Sequence, residues 1–241
     1  MPWNLEGRVG VVTGASSAIG RQLAARLVSE HRMRVACVSR KDVNGLVPAE
    51  CNCLRADLSV SSDCDAVMKR VKETVGPVAL LVNCAGVTLN KVHVRCTDDD
   101  YDALMNVNVR AALQLTRSTL RHGGMLKEGD GCIIHVGSVV GSMGNEGQVL
   151  YAASKAALSG AVKSWAREYG AKNLRFNVIA PGLIEGEGMG ATLMEDQREW
   201  WRRRCPMGRL ATTEDIVDAI IGVGLCRYIN GQTVLVDGGL S

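Results

Sequence analysis

Arg8-Val9-Gly10-Val11-Val12-Thr13-Gly14-Ala15-Ser16-Ser17-Ala18-Ile19-Gly20 is the stretch from which the fold can be read. Arg8 to Thr13 is a short apolar run of the kind that makes a buried strand. A loop rich in small residues follows, and Arg21 to about Ser29 then carries apolar Leu23, Ala24 and Leu27 at helical spacing. Strand, small-residue loop and helix form the context in which a loop sets a pyrophosphate on a helix N-terminus. The spacing is Gly-x3-Ala-x-Gly, not G-x-G-x-x-G. Taken alone, it is as consistent with a structural turn as with a phosphate site.

Outward from this stretch the same alternation repeats. Arg34–Ser39, Cys53–Arg55, Ala79–Asn83, Cys132–Gly137, Arg175–Ala180 and Thr233–Val236 read as strands. Helical periodicity covers Ser62–Val75, a long run Asp98–Arg121 ended by Gly123-Gly124, Val149–Gly170, Met194–Arg204, and Thr213–Gly224 with Thr212 or Thr213 as its N-cap. The segment between Arg40 and Asp57 holds Asn44-Gly45 and Pro48 and is too short and broken for a full crossover helix. Strands alternating with helices predict an α/β fold, a single-domain Rossmann-type doubly wound parallel sheet of about seven strands with helices on both faces. No composition break divides residues 1–241.

Composition narrows the function classes. The 241 residues are 46% hydrophobic and 22% charged with net charge +3, ordinary for a globular protein and without the basic surface that nucleic acid requires. No apolar run reaches the ~18 residues of a membrane span, and the N-terminus runs almost directly into a strand, leaving no room for a signal peptide. Nine cysteines are scattered, without a C-x-x-C pair or a partnered His cluster. That pattern predicts free thiols in a reducing compartment, the cytoplasm or the mitochondrial matrix, and no metal. His135, in mid-strand, reads as a core residue.

Two features point to chemistry. Arg40 lies 20 residues past Gly20, where dinucleotide folds carry either an acid for a ribose 2′-hydroxyl or an arginine for a 2′-phosphate. No acid occupies that point, which favours NADP(H) over NAD(H). Tyr151 and Lys155, four residues apart on one helix, share a face. An ammonium about 4 Å from a phenol interacts by roughly 4 kcal/mol at an effective dielectric of about 20. That is enough to draw the tyrosine pKa from about 10 toward neutrality and let the pair trade a proton with a carbonyl oxygen. Alone, Tyr-x3-Lys occurs by chance in many helices as a solvated pair.

Together, Thr13-Gly14-x3-Ala18-Ile19-Gly20, Asp57-Leu58, Asn83-Cys84-Ala85-Gly86, Asn108, Ser138, Tyr151-x3-Lys155 and Asn177-x3-Pro181-Gly182 resemble the short-chain dehydrogenase/reductase superfamily over essentially the whole chain. His135–Gly141, Arg175–Gly182, Pro206–Leu210 and Ile229–Gly239 look most like the 3-oxoacyl-acyl-carrier-protein reductases, with carbonyl reductases sharing much of the pattern. The resemblance implies a catalytic set of Asn108, Ser138, Tyr151 and Lys155. Tyr151 would be the general acid, Lys155 would lower its pKa and hold the nicotinamide ribose, and Ser138 would hold the carbonyl oxygen. Asn108 would anchor a water chain that resupplies the proton. It further implies NADP(H) binding by Gly14, Ser16, Ser17, Ile19, Arg40, Asp57, Leu58, Asn83, Ala85, Gly86, Tyr151, Lys155, Pro181, Gly182 and Ile184.

The implied reaction is NADPH-dependent reduction of a 3-oxoacyl thioester in fatty acid biosynthesis. The alternatives are a broader carbonyl, quinone or hydroxysteroid reductase, or a cofactor-binding, non-catalytic subunit of a hetero-oligomer. The implied partners are an acyl thioester or other small carbonyl substrate and an acyl-carrier protein, in a homotetramer or heterotetramer. Lys127, Lys172 and Arg202–Arg204 are either docking residues for that acidic carrier or ordinary surface cations. Trp200 and Trp201 face either an acyl chain or the core.

Three departures stand out. Ala18 replaces the middle glycine, at a cost of about 1 kcal/mol if that position needs positive φ, and its methyl would crowd the cofactor. Ile184-Glu185-Gly186-Glu187-Gly188 lacks the threonine that often follows Pro-Gly, and the Gly186–Gly190 run reads as mobile. The short segment 40–57 should expose the adenine end of the site. Replacing Arg40 with Ala should lower the NADPH-over-NADH preference by about tenfold or more, the worth of one charge-assisted hydrogen bond. Paired cofactor titrations of the variant check this, and an unchanged preference would exclude Arg40 from the site.

Overall fold

A computed structural model describes residues 3–186 and 194–241. Its seven strands are β1 Val9–Thr13, β2 Arg34–Ser39, β3 Asn52–Arg55, β4 Val78–Asn83, β5 Gly131–Val136, β6 Leu174–Pro181 and β7 Thr233–Val236. They form one sheet in the order β3-β2-β1-β4-β5-β6-β7, and every pairing is parallel. Every residue of β1, β4 and β6 is buried, as a parallel strand covered on both faces requires. The doubly wound Rossmann-type sheet expected from the sequence is the one observed.

The helices are α1 Ala18–Ser29, α2 Ser61–Thr74, α3 Asp98–Met105, α4 Ala111–Arg121, α5 Met125–Glu128, α6 Val140–Met143, α7 Val149–Tyr169, α8 Glu195–Arg204 and α9 Thr213–Leu225. Alternate strand residues feed two cores. Val9 and Val11 pack with Val67 of α2, Leu115 of α4 and Leu158 of α7. Val12 packs on the other face with Leu23 of α1 and Ile220 of α9. Side chains cap three helices: Ser17 Oγ accepts from Gly20 N–H on α1, and Thr97–Asp100 and Thr212–Asp215 form reciprocal boxes on α3 and α9. As read from the sequence, residues 41–51 contain no helix.

The long helix read over Asp98–Arg121 is interrupted. Asn106–Arg110 make a π-turn in which Ala111 N–H reaches back to Asn106 O. One extra residue in the turn rotates Asn108 into the interior, where it is 2% exposed. Apolar periodicity does not register a single inserted residue, and the cause is tertiary: Asn108 clamps the backbone of Val87.

His135 is a core residue, as read. Its Nδ1 accepts from Asn83 Nδ2 at 3.0 Å, its Nε2–H donates to Thr116 Oγ1 at 3.4 Å, and its ring stacks on Trp165 at 5.5 Å between centroids. Asn83 Oδ1 in turn accepts from Thr13 Oγ1 at 3.3 Å, so a buried chain of hydrogen bonds crosses β1, β4 and β5. Burial, followed by the Lys155 charge, pushes the His135 pKa down to about 3. The unfolded chain therefore takes up a proton near pH 6.5 that the folded chain refuses. Stability contributed by neutral His135 is complete above about pH 6.5 and is lost as the pH falls toward 3, by at most about 1.4 kcal/mol per unit. Urea unfolding at pH 7 and pH 5.5 should show this loss, and His135→Asn, though less stable at pH 7, should flatten it.

Candidate active site

All the sequence-marked loops leave the carboxyl ends of their strands, around the point between β1 and β4 where the strand order reverses. In doubly wound sheets this is where ligands bind. A groove runs across it in two parts joined at Cys84, Gly86 and Val87. One part, with about 680 Å³ of empty space, is lined by Gly14, Ser16, Ser17, Arg40, Asp57, Leu58, Ala85 and Gly86. The other, about 1120 Å³, is lined by Ile19, Ser138, Tyr151, Lys155, Pro181, Gly182 and Ile184.

The first part fits a dinucleotide. Gly14 has φ +63°, and a Cβ there would lie 2.7 Å from Ala85 N; one on Gly20 would lie 2.5 Å from Gly14 O. The loop thus folds tightly enough to bring the start of α1 to the groove. Ser17 Oγ bridges Gly14 O at 2.8 Å and Gly20 N–H at 3.1 Å. No acid lies in the first turn of α1, leaving its dipole and unpaired first-turn N–H groups for an anion. Arg40 and Asp57 face each other across the groove. Hydrogen bonds from Ser59, then the Arg40 charge, hold the Asp57 carboxyl below its ordinary range. Ala18 carries no penalty of the kind expected: it is the first residue of α1, has no positive φ and lines neither part.

In the second part, Ser138 stands just past the end of β5 and Tyr151 on the first turn of α7. Burial raises the Tyr151 pKa and a hydrogen bond with Ser138 opposes that rise, so the phenol keeps its proton at neutral pH. Lys155, 6% exposed, donates to Val136 O at 2.9 Å and lies 5.7 Å from the Tyr151 ring centroid. Desolvation pulls its pKa down to about 8. The strong mutual pull expected for the pair is absent: each is governed first by burial, because the ammonium hydrogen-bonds the strand carbonyl. Gly86 packs close beside them: a Cβ there would come 3.3 Å from Lys155 Nζ and 3.4 Å from Asn108 Oδ1.

Two expected residues support the groove from behind. Asn83 lines neither part and is committed to Thr13 and His135. Asn108 accepts from Val87 N–H at 2.8 Å and donates to Val87 O at 2.9 Å and Ser154 Oγ at 3.0 Å. Of the loop after Gly182, Ile184 bridges to Ala211 and Glu185 pairs with Arg202 at 2.8 Å; Glu187–Gly190 lie outside the described residues.

Other lining residues escaped the sequence reading: Thr88, Asn145, Gln148 and Leu240 in one part, Lys41 in the other. Gln148 is 3% exposed, donates to Asn90 Oδ1 at 2.7 Å and accepts from Asn145 at 2.9 Å. It precedes Tyr151 by one helical turn, a spacing that could have marked it; Leu240 has no such signal. Trp201 faces the groove, while Trp200 is 52% exposed beneath Arg204. The basic run on α8 is largely neutralised, Arg202 by Glu185 and Glu195 and Arg203 by Glu199. Lys127 and Lys172 precede β5 and β6, at the amino ends of the strands and so at the opposite end of the sheet from the groove.

Fold and groove define a Rossmann-type α/β oxidoreductase with a Ser, Tyr and Lys set together in one part of the groove. A family model described as Enoyl-(Acyl carrier protein) reductase matches residues 14–241. Similar proteins include the 3-oxoacyl-[acyl-carrier-protein] reductases FabG of Thermotoga maritima, 34% identical over 245 residues, Vibrio cholerae, 36% over 244, and Escherichia coli, 33% over 243. Each match covers 98% of this chain and 98% of the relative. The chain belongs to the short-chain dehydrogenase/reductase family.

Gly14→Ala should destabilise the protein by about 1–2 kcal/mol from the left-handed backbone alone and weaken NADPH binding through the clash with Ala85. Ala18→Gly should instead cost helix stability without improving affinity. Thermal melts and NADPH titrations of both variants check the contrast.

Proposed function

We propose that this chain, acting as one unit over residues 1–241, reduces a 3-oxoacyl thioester to the 3-hydroxyacyl thioester in fatty acid biosynthesis, using NADPH. The observation that carries this reading is the convergence of Ser138, Tyr151 and Lys155 on a groove continuous with the Arg40 cleft. The end-to-end likeness to 3-oxoacyl reductases supports the substrate class. The bound NADPH supplies the hydride. Ser138 holds the substrate carbonyl oxygen in a near-attack position. Tyr151, protonated at neutral pH, gives its proton to that oxygen as charge develops. Lys155, buried and held by Val136 O, keeps a positive charge beside the cofactor ribose and the phenol. Asn108 fixes the Val87 loop that walls the groove. Gly14, Ser16, Ser17 and Ile19 hold the pyrophosphate, Arg40 the 2′-phosphate, Asp57, Leu58 and Ala85 the adenosine, and Pro181, Gly182 and Ile184 the nicotinamide.

The acyl group arrives on acyl-carrier protein or coenzyme A, with Trp201 on the lid helix α8 placed to meet it. Tetramer assembly is supported by exposed Tyr101, Leu113 and Val149 on α3, α4 and α7. Nine free cysteines fit a reducing compartment, cytoplasm or mitochondrial matrix, and among the described residues no helix is long and apolar enough to cross a membrane.

The test is NADPH oxidation by the purified chain with a 3-oxoacyl thioester beside a quinone. Thioester turnover is expected; quinone turnover alone would favour a broader carbonyl reductase, and no turnover with any carbonyl would mark a non-catalytic subunit. Tyr151→Phe should lower turnover by about 10²–10⁴-fold, the usual worth of a general acid, with NADPH affinity nearly unchanged. Full activity in that variant would overturn the mechanism.

A further inference from the structure

The groove part that holds Ser138 and Tyr151 also carries a polar cluster that the proton-handling residues do not use. Thr88, Asn145 and Gln148 line it. Gln148 stands at the start of α7 and is 3% exposed, so both ends of its amide need partners inside the protein. Its Oε1 accepts from Asn145 Nδ2 at 2.9 Å. Its Nε2 donates to Asn90 Oδ1 at 2.7 Å and to Thr88 Oγ1 at 3.4 Å, which uses both of its hydrogens.

The direction of these bonds fixes what Thr88 can do. An amide nitrogen only donates, so Thr88 Oγ1 is the acceptor in its bond with Gln148. The Thr88 hydroxyl keeps its own hydrogen, and among the described residues no protein group takes it. Thr88 is exposed and lines the groove, so that hydrogen is available to a bound molecule. The backbone is pinned on either side. Asn108 holds both the N–H and the C=O of Val87, and Lys91 N–H donates to Gly147 O at 2.7 Å. Thr88 is therefore a donor set in place before anything binds. Lys155 is the one charged residue among the described residues lining this part, and it is bonded to Val136 O. The acceptor that suits Thr88 is thus a neutral carbonyl oxygen, since a carboxylate would meet no free countercharge there.

We propose that Thr88, aimed by Gln148, recognises the thioester carbonyl of the substrate and so selects 3-oxoacyl thioesters over simple ketones. The proposal rests on the 3-oxoacyl reductase reading of this groove. A 3-oxoacyl thioester carries two carbonyl groups separated by one methylene. Ser138 and Tyr151 take the oxygen of the one that is reduced, and Thr88 takes the other. Held at both oxygens, the reacting carbonyl keeps a single orientation. A simple ketone offers Thr88 nothing, and the hydroxyl stays on water. Gln148 touches no substrate atom in this scheme and is a positioning residue.

Two compounds isolate the contact: S-acetoacetyl-N-acetylcysteamine, and S-(3-oxobutyl)-N-acetylcysteamine, in which a methylene replaces the thioester carbonyl. NADPH oxidation gives kcat/KM for each. Thr88→Val keeps the side-chain shape without the hydroxyl. It should lower kcat/KM for the thioester about tenfold more than for the ketone, the worth of one hydrogen bond. Thr88→Ser should regain most of that difference. Gln148→Glu puts an acceptor where the amide donated, which turns the Thr88 hydrogen away from the groove. That variant should show the same selective loss with its threonine intact. Equal losses on both compounds in Thr88→Val, or no loss on either, overturns the proposal. So does a selective loss that Thr88→Ser fails to recover, or a Gln148→Glu chain that melts as a folded protein and keeps the unaltered ratio. Failure of the unaltered chain to reduce either compound would instead defeat the reductase reading beneath it.

Discussion

The groove depends on the close approach of two backbones at the carboxyl ends of β1 and β4. Gly14 turns with φ +63° so close to Ala85 that a methyl would stand 2.7 Å from its amide nitrogen, and Gly20 meets Gly14 O more closely still. This contact sets the start of α1 against the crevice, which puts the anion-binding end of the helix at the groove floor. It also positions Cys84–Gly86, where the two parts of the groove join. Every other site loop is placed by the sheet relative to that crossing.

Behind the groove lies a polar layer with no direct access to it. Thr13, Asn83 and His135 tie three central strands together in a buried chain, and a neutral imidazole is its condition. The π-turn at Asn106–Arg110 turns Asn108 onto Val87. These residues hold backbone loops in register so that the groove-facing side chains need little adjustment of their own. The same low dielectric raises the Tyr151 pKa and lowers that of Lys155, favouring a protonated phenol beside a lysine less firmly charged than in water.

Much of this was legible in the chain. The strands are unbroken apolar runs because both of their faces are covered, and the helices carry apolar residues at helical spacing between them. The proposed catalytic set rests on several motifs combined, since Tyr-x3-Lys alone means little. The departure at Ala18 was read pessimistically: a glycine-free position looked strained, yet Ala18 is already helical. The long helix from Asp98 was read as continuous, because an inserted π residue leaves the flanking periodicity almost intact. Gln148 carried a one-turn spacing to Tyr151 that can be read in hindsight.

Local sequence by itself determined the alternating elements, the tight glycine turn, the arginine after β2 and the one-turn spacing of Tyr151 and Lys155. All of these depend on residue type and short-range spacing. Only the tertiary structure decided that Asn83 faces His135 and that Lys155 bonds the strand carbonyl of Val136. Tertiary packing alone brought Leu240 from the end of the chain to the groove and set Lys127 and Lys172 at the amino ends of β5 and β6, away from it. These facts depend on which backbone atoms become neighbours across tens or hundreds of residues, and burial then decides which polar partner each side chain must take.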